Sequence, residues 1–188
     1  LVCPPVNDLC SGAIDLGLET SPLSSTTVGA TNNNAPTCGF GNASPDVYYS
    51  ILVPNNSTFT IQQTTNSYDS VVSMFYGDCD NPTAITCYDD PDDTTTVWAN
   101  TTGADQTVYF VVDGYGSAGQ SGTFTLAWSV VACSNATATY TVVSDCANGP
   151  QFFVDVNVTD LGTATSLTVS DNQASATQTV TAAGTVQF

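Results

Sequence analysis

The chain contains no lysine, no arginine and no histidine. Each absence excludes a class of chemistry. Without histidine there is no Ser-His-Asp triad, no Cys-His pair and no histidine-bound zinc. Without lysine there is no Schiff base and no phosphate-loop lysine. Seventeen acidic residues stand unanswered, for a net charge of −17. Nucleic acid is repelled, because its binding rests on neutralising phosphates. Anionic membranes are disfavoured on the same ground. Long apolar runs are also missing, so no membrane-spanning helix is expected. No basic stretch precedes an apolar one, so the chain reads as a mature or excised segment without a signal peptide. Any catalysis is left to carboxylates, hydroxyls, thiols or a metal they hold.

What is present is apolar material and neutral polarity. Of 188 residues, 41% are hydrophobic and only 9% charged, against roughly 25% charged in ordinary soluble domains. A packed core is available, and Asp, Ser, Thr, Asn and Gln must supply solubility. The seven cysteines are Cys3, Cys10, Cys38, Cys79, Cys87, Cys133 and Cys146. No CxxC spacing and no histidine accompany them, so disulfides in an oxidising, extracellular setting are expected rather than zinc.

Helical periodicity is nearly absent. Short runs rich in Val, Thr, Tyr and Phe recur between Gly, Pro, Asn and Asp clusters, which predicts an all-β chain. The expected strands are 26–31, 46–54, 58–64, 70–77, 84–88, 95–101, 106–114 and 122–131, followed by 137–146, 151–162, 165–170, 176–182 and 184–188. In 46–54, Val47, Tyr49, Ile51 and Val53 share one face, and Tyr48, Ser50 and Leu52 the other. Phe152, Val154, Val156 and Val158 likewise alternate with Phe153, Asp155 and Asn157.

The stretches "NDLCSGAIDLG" (7–17), "PDVYYSILVP" (45–54), "DSVVSMFYGDC" (69–79), "CYDD" (87–90), "TVYFVVDGYG" (107–116) and "SGTFTLAW" (121–128) resemble the prepeptidase C-terminal-like β-sandwich repeats of secreted proteins of gliding Bacteroidetes. Residues 133–188 resemble the immunoglobulin-like repeats that alternate with such domains in giant surface adhesins. The resemblance implies a jelly-roll-like β-sandwich followed by an immunoglobulin-like one. Residues 1–5 would be the tail of a preceding module or a linker, 6–132 the first sandwich, and 133–188 the second, incomplete. The roughly 100 residues typical of an immunoglobulin domain are not reached, so 133–188 is expected not to be self-sufficient. Cys3 would find its partner in the preceding module. The expected disulfides are Cys10–Cys38 and Cys79–Cys87, with Cys133 and Cys146 paired together or with missing parts of their module. The family shares no catalytic residues. With the absent residue types, this predicts no intrinsic enzymatic activity.

The stretch "CYDDPDDTTTVW" (87–98) crowds Asp89, Asp90, Asp92 and Asp93 around one proline. Two carboxylates about 4 Å apart repel by roughly 1 kcal/mol in water and about 4 kcal/mol at an effective dielectric of 20. Ca²⁺, which takes six to eight oxygens from irregular loops, would remove the repulsion. The resemblance places Asp69 near this loop. Asp69, Asp89 and Asp90 are the expected ligands, with Asp92, Asp93, Asp46 and Asp113 next; the bland alternative is a solvated acidic loop. An EF-hand frame over Asp78, Asp80 and Asp89 fails, because Pro82 and Thr83 hold its fifth and sixth places. A glycosidase carboxylate pair is poorly served by adjacent loop aspartates, and Glu19 has no partner. Tyr48, Tyr49, Tyr88, Tyr115, Trp98 and Trp128 are weighed as a sugar platform, with Trp128 assigned to the core and Tyr115 to the surface. Asp-Ser and Asp-Thr pairs at 69–70 and 93–94 resemble Bacteroidetes O-glycosylation sites. Asn42, Asn55, Asn56, Asn100, Asn135 and Asn157 open N-x-Ser/Thr triplets.

The function expected on this basis is that of a repeat module of a long extracellular adhesin or filament, for display, surface adhesion and gliding motility. Its partners would be neighbouring modules and surface glycans. The lack of Lys and Arg removes every trypsin-type cleavage site, and uniform charge keeps modules apart. One alternative is a carbohydrate- or substrate-binding accessory region of a secreted hydrolase. Another is a pilus-like subunit completed by a neighbour's strand, with Leu1–Cys3 as that strand.

Overall fold

The computed structural model describes residues 3–39, 43–116 and 119–188. Leu1 and Val2 of the expected donor strand, and Asn42 of its triplet, fall outside them. The chain divides into two compact units, Leu1–Val131 and Ala132–Phe188. Among the described residues, all regular structure is β apart from a single 3₁₀ turn at Cys10–Gly12.

The first unit contains β1 (Ile14–Asp15), β2 (Leu23–Thr26), β3 (Val47–Val53), β4 (Ser57–Asn66), β5 (Ser70–Gly77), β6 (Pro82–Tyr88), β7 (Thr96–Ala99), β8 (Gln106–Gly114) and β9 (Thr123–Ala132). One sheet has the order β1-β3-β8-β5-β6 and the other β2-β9-β4-β7. The β1–β3 pairing is parallel, while β3–β8 and β8–β5 are antiparallel. Alternation decides the faces. Tyr49, Ile51, Met74, Phe110 and Val112 of the first sheet share one core with Phe59, Ile61, Phe124 and Leu126 of the second. Tyr49 meets Phe124 edge to face at 6.2 Å between ring centroids.

The expected strand at 26–31 is not one. β2 ends at Thr26, whose hydroxyl accepts the Val28 N–H at 3.0 Å and turns the chain. Ala30 N–H then donates to Thr27 O. Residues 31–39 then lie over the outer face of the first sheet. Gly39 is among them, with φ +76°. A Cβ there would come within 2.8 Å of the Val71 side chain on β5.

The second unit contains β10 (Thr137–Ser144), β11 (Phe152–Asp160), β12 (Leu167–Val169), β13 (Gln178–Val180) and β14 (Gly184–Gln187). They form a β10-β11-β14 sheet and a β12-β13 pair. Val158 and Val180 are its buried hydrophobic residues, whereas Tyr140, Val142 and Phe152 are exposed.

Candidate functional site

The outer face of the first sheet carries three features: an acidic loop at one corner, an aromatic pair near the middle, and a buried pair of aspartates beneath the Thr27–Asp46 segment.

The acidic loop leaves β6 at Tyr88, which pairs with Val72 of β5. Asp69 precedes β5, so strand pairing draws it towards Asp89 and Asp90. Asp92 Oδ1 accepts the Ser70 N–H at 2.9 Å and the Ser70 hydroxyl at 2.6 Å. The peptide Asp90–Pro91 is cis. The Asp69 carboxyl is pushed up first by desolvation, then by Asp92 and Asp90. Asp89 is pushed up by desolvation, then by Asp90, Asp69 and Asp92. Its Oδ1 is shielded without a hydrogen-bond partner. Asp90 and Asp93 are exposed. A cleft of about 370 Å³ lies between this loop and Gln63–Asn66. The loop carboxylates therefore interact, but among the described residues no three acidic or cysteine side chains are disposed to hold a metal ion.

The sugar-platform residues are dispersed. Tyr48 and Tyr49 are buried. Tyr88, Trp98 and Trp128 are half-buried against the core, and Tyr115 is half-exposed. Trp98 stacks on Tyr76, 5.4 Å between centroids. The structure instead pairs two residues missed in the sequence, Phe75 of β5 and Tyr109 of β8. They are direct cross-strand partners and stack at 5.1 Å and 19°. Ala84 of β6 flanks Phe75, and Ser50 of β3 flanks Tyr109. Both rings sit on the face opposite Met74 and Phe110, and both are partly open to solvent. The signal was there: each aromatic falls where the alternation calls for a polar residue, in phase with Ser73 and Thr107.

Asp46 and Asp113, second choices for the acidic-loop ion, lie elsewhere. Both are fully buried. Asp46 Oδ2 accepts the N–H groups of Asn33 at 2.6 Å and Asn34 at 2.8 Å. Asp113 Oδ1 accepts the Gly114 N–H at 2.7 Å. Burial pushes Asp46 up to about 6, against the Asn34 and Asn33 N–H bonds and with help from Asp8. Burial likewise pushes Asp113 up to about 7, with Asp46 adding to it.

The disulfides correct the expectation. They are Cys10–Cys79 and Cys38–Cys87, not Cys10–Cys38 and Cys79–Cys87. The reason is the path of the Thr27–Asp46 segment. It crosses the sheet and sets Cys38 over β6, where Cys87 lies opposite Ser73 on the outer face. The Cys38 N–H approaches Cys87 Sγ at 3.1 Å. Cys3, Cys133 and Cys146 are free and exposed, so Cys133 and Cys146 do not pair with each other. The Asn100 triplet is closed to a glycan, because the Asn100 side chain is fully buried and donates to Val53 O and Ala104 O.

No family model and no curated protein matches the chain. Among solved structures it is similar to the glycoside hydrolase domain of Endo-D from Streptococcus pneumoniae R6, at 13% identity and a TM-score of 0.29, over 88% of this chain and 31% of that one. The chain thus spans less than a third of that structure. The expectation of a chain without enzymatic activity is corrected here: beside a match to a glycoside hydrolase domain, the absent residue types do not exclude catalysis. The exclusion had rested on missing His, Lys and Arg, and glycoside hydrolysis needs none of them, only two carboxyl groups. At this TM-score the likeness assigns no substrate and no activity to the chain.

Proposed function

We propose that the chain is a carbohydrate-binding accessory region of a longer secreted protein, with a neutral glycan lying on the outer face of the first sheet. The observation that supports it is the Phe75–Tyr109 pair, stacked across β5 and β8 on the solvent side. Aromatic rings offer large, rigid contact area with little entropy to lose. The small flanking residues Ala84 and Ser50 leave room beside the rings, and the Tyr109 and Ser50 hydroxyls supply polar contacts. A chain of net charge −17 suits a neutral glycan better than an acidic one. Two disulfides support an extracellular location.

The test is retention of the full chain on a panel of neutral polysaccharides by affinity electrophoresis. Phe75→Ala with Tyr109→Ala should weaken binding roughly thirtyfold, as for a hot-spot aromatic of about 2 kcal/mol. Retention on none of the panel, or undiminished retention by the double variant, would sink the reading.

A second reading, a repeat module of a surface adhesin or filament with a jelly-roll-like and an incomplete immunoglobulin-like sandwich, has its own support. In the second unit a cavity of about 640 Å³ is lined by Tyr140, Phe152, Val154 and Phe188, with Asp171 and Asn172 among its polar residues. Such a face suits a strand from a neighbouring module, by addition to an open sheet edge.

A further inference from the structure

We propose that Asp46 and Asp113 bind a hard divalent cation of the Ca²⁺ class beneath the Thr27–Asp46 segment, apart from the acidic loop and independently of the glycan reading.

Strand register brings the two carboxyls together. Val47 of β3 pairs with Val112 of β8, so Asp46 stands one step on, opposite Asp113. On its other side Asp113 pairs with Val71 of β5. Like charges directly opposite one another destabilise a sheet. Both residues are 0% exposed, so water does not screen them.

The donors present do not complete the pair. Two backbone N–H groups satisfy Asp46 Oδ2, and one satisfies Asp113 Oδ1. Asp46 Oδ1 and Asp113 Oδ2 are buried with no hydrogen-bond partner. Buried carboxylate oxygens without a partner are costly, and no Lys, Arg or His exists to answer them. Nearby Asp8 is not a third ligand of the same kind, because the Thr31 N–H and hydroxyl occupy its two oxygens. Two carboxylates carry the charge of one divalent ion.

Neutral oxygens surround the pair. The Asn34 side chain now donates towards Asp113, and to Ser73 Oγ at 3.4 Å. Rotating that amide exchanges its nitrogen for its oxygen with little change of shape. The Tyr48 hydroxyl donates towards Asp46 and lies near Asp113 and Asp8. An all-oxygen set selects hard cations. Ca²⁺ is favoured over Mg²⁺, because Mg²⁺ demands near-octahedral geometry and retains its waters, which a closed site does not accommodate. Bound there, the ion would clamp the segment carrying Asn33 and Asn34 to β3 and β8.

The experiment uses the full chain at neutral pH. Its melting is followed in chelator and in millimolar CaCl₂, with ionic strength matched. Tb³⁺ serves as a second probe, its emission sensitised by Tyr48. Wild type should melt several degrees higher in CaCl₂, and Ca²⁺ should displace Tb³⁺. Asp46→Asn and Asp113→Asn should each weaken Ca²⁺ binding roughly tenfold or more, a loss of about 1.4 kcal/mol at least. Asp89→Asn with Asp90→Asn should respond as wild type does. In chelator the Asp113→Asn protein should melt no lower than wild type, since one of two opposed charges is gone. Identical wild-type melting in both buffers overturns the proposal without any variant. So does a Ca²⁺ response that survives in both single variants, or that disappears in the acidic-loop double variant.

Discussion

Removing Cys38–Cys87 tests whether the Thr27–Asp46 segment is fixed across the first sheet. The bridge closes 49 residues of chain, and Cys10–Cys79 closes 69. Chain entropy alone assigns a loop of either length about 4 kcal/mol. Cys38→Ala with Cys87→Ala should therefore lower the stability of the first unit by about 4 kcal/mol. At an unfolding entropy of about 2.1 cal/mol/K per residue, that is a fall of about 15 °C in Tm for a unit of this size. The pairing itself is read by non-reducing peptide mapping. Trypsin has no site in this chain, but a protease cutting before aspartate separates the four cysteines into 8–14, 15–45, 78–79 and 80–88. The geometry requires 8–14 linked to 78–79, and 15–45 linked to 80–88. A species joining 8–14 to 15–45 would refute the placement of the segment. A double variant melting within a degree or two of wild type would refute the energetic argument.

Two further outcomes are expected. In chelator, stability should fall as pH rises from about 4 to 8. Asp46 and Asp113 are raised from 3.8 to about 6 and about 7, so their neutral forms favour the fold below the unfolded value, and that contribution is lost as pH passes their folded values. Asp8, Tyr48 and Tyr68 are the titratable neighbours facing them, and the raised Asp69 and Asp89 act in the same direction. A Tm that rises over this range would contradict the burial of the pair. Separately, Asn100→Ala should cost about 2–3 kcal/mol by denaturant titration, because it strips Val53 O and Ala104 O of buried donors and Thr102 of its acceptor. A loss under about 0.5 kcal/mol would show that water replaces the amide.

The strands were legible because period-two alternation is imposed by a shared core. The expected 106–114 and 70–77 coincide with β8 and β5, where Val108, Phe110 and Val112, and Val72 and Met74, fall on one face. β1 pairs over only two residues, Ile14 with Tyr49 and Asp15 with Ser50, too few for alternation to register. The disulfides were not legible, because pairing depends on where a strandless connection lies. Nothing in 27–46 alternates, and its course is set by contacts such as Gly39 against Val71. Phe75 and Tyr109 were partly legible as aromatics out of phase with their strands. Their meeting needed the β5–β8 register, between strands that are not consecutive in sequence.

The buried aspartates show how a chain without cations manages its charge. Its carboxylates are met by N–H and O–H donors from nearby chain: Asp8 by Thr31, Asp92 by Ser70, Asp46 by Asn33 and Asn34, Asp113 by Gly114. Such donors satisfy oxygens but cancel no net charge. At the surface, water and salt do the rest, which is why the Asp89–Asp93 loop can keep four carboxylates. Under the Thr27–Asp46 segment neither reaches, and a protein ion pair is ruled out by composition. The charge there must be settled by something taken from solution, a proton or a metal ion. A proton fits below the raised titration range and leaves as pH rises through it. A divalent ion fits above that range. Hydrogen bonding to the backbone thus fixes the positions of the two carboxyls, while the surrounding solution decides how strongly they hold the segment to the sheet.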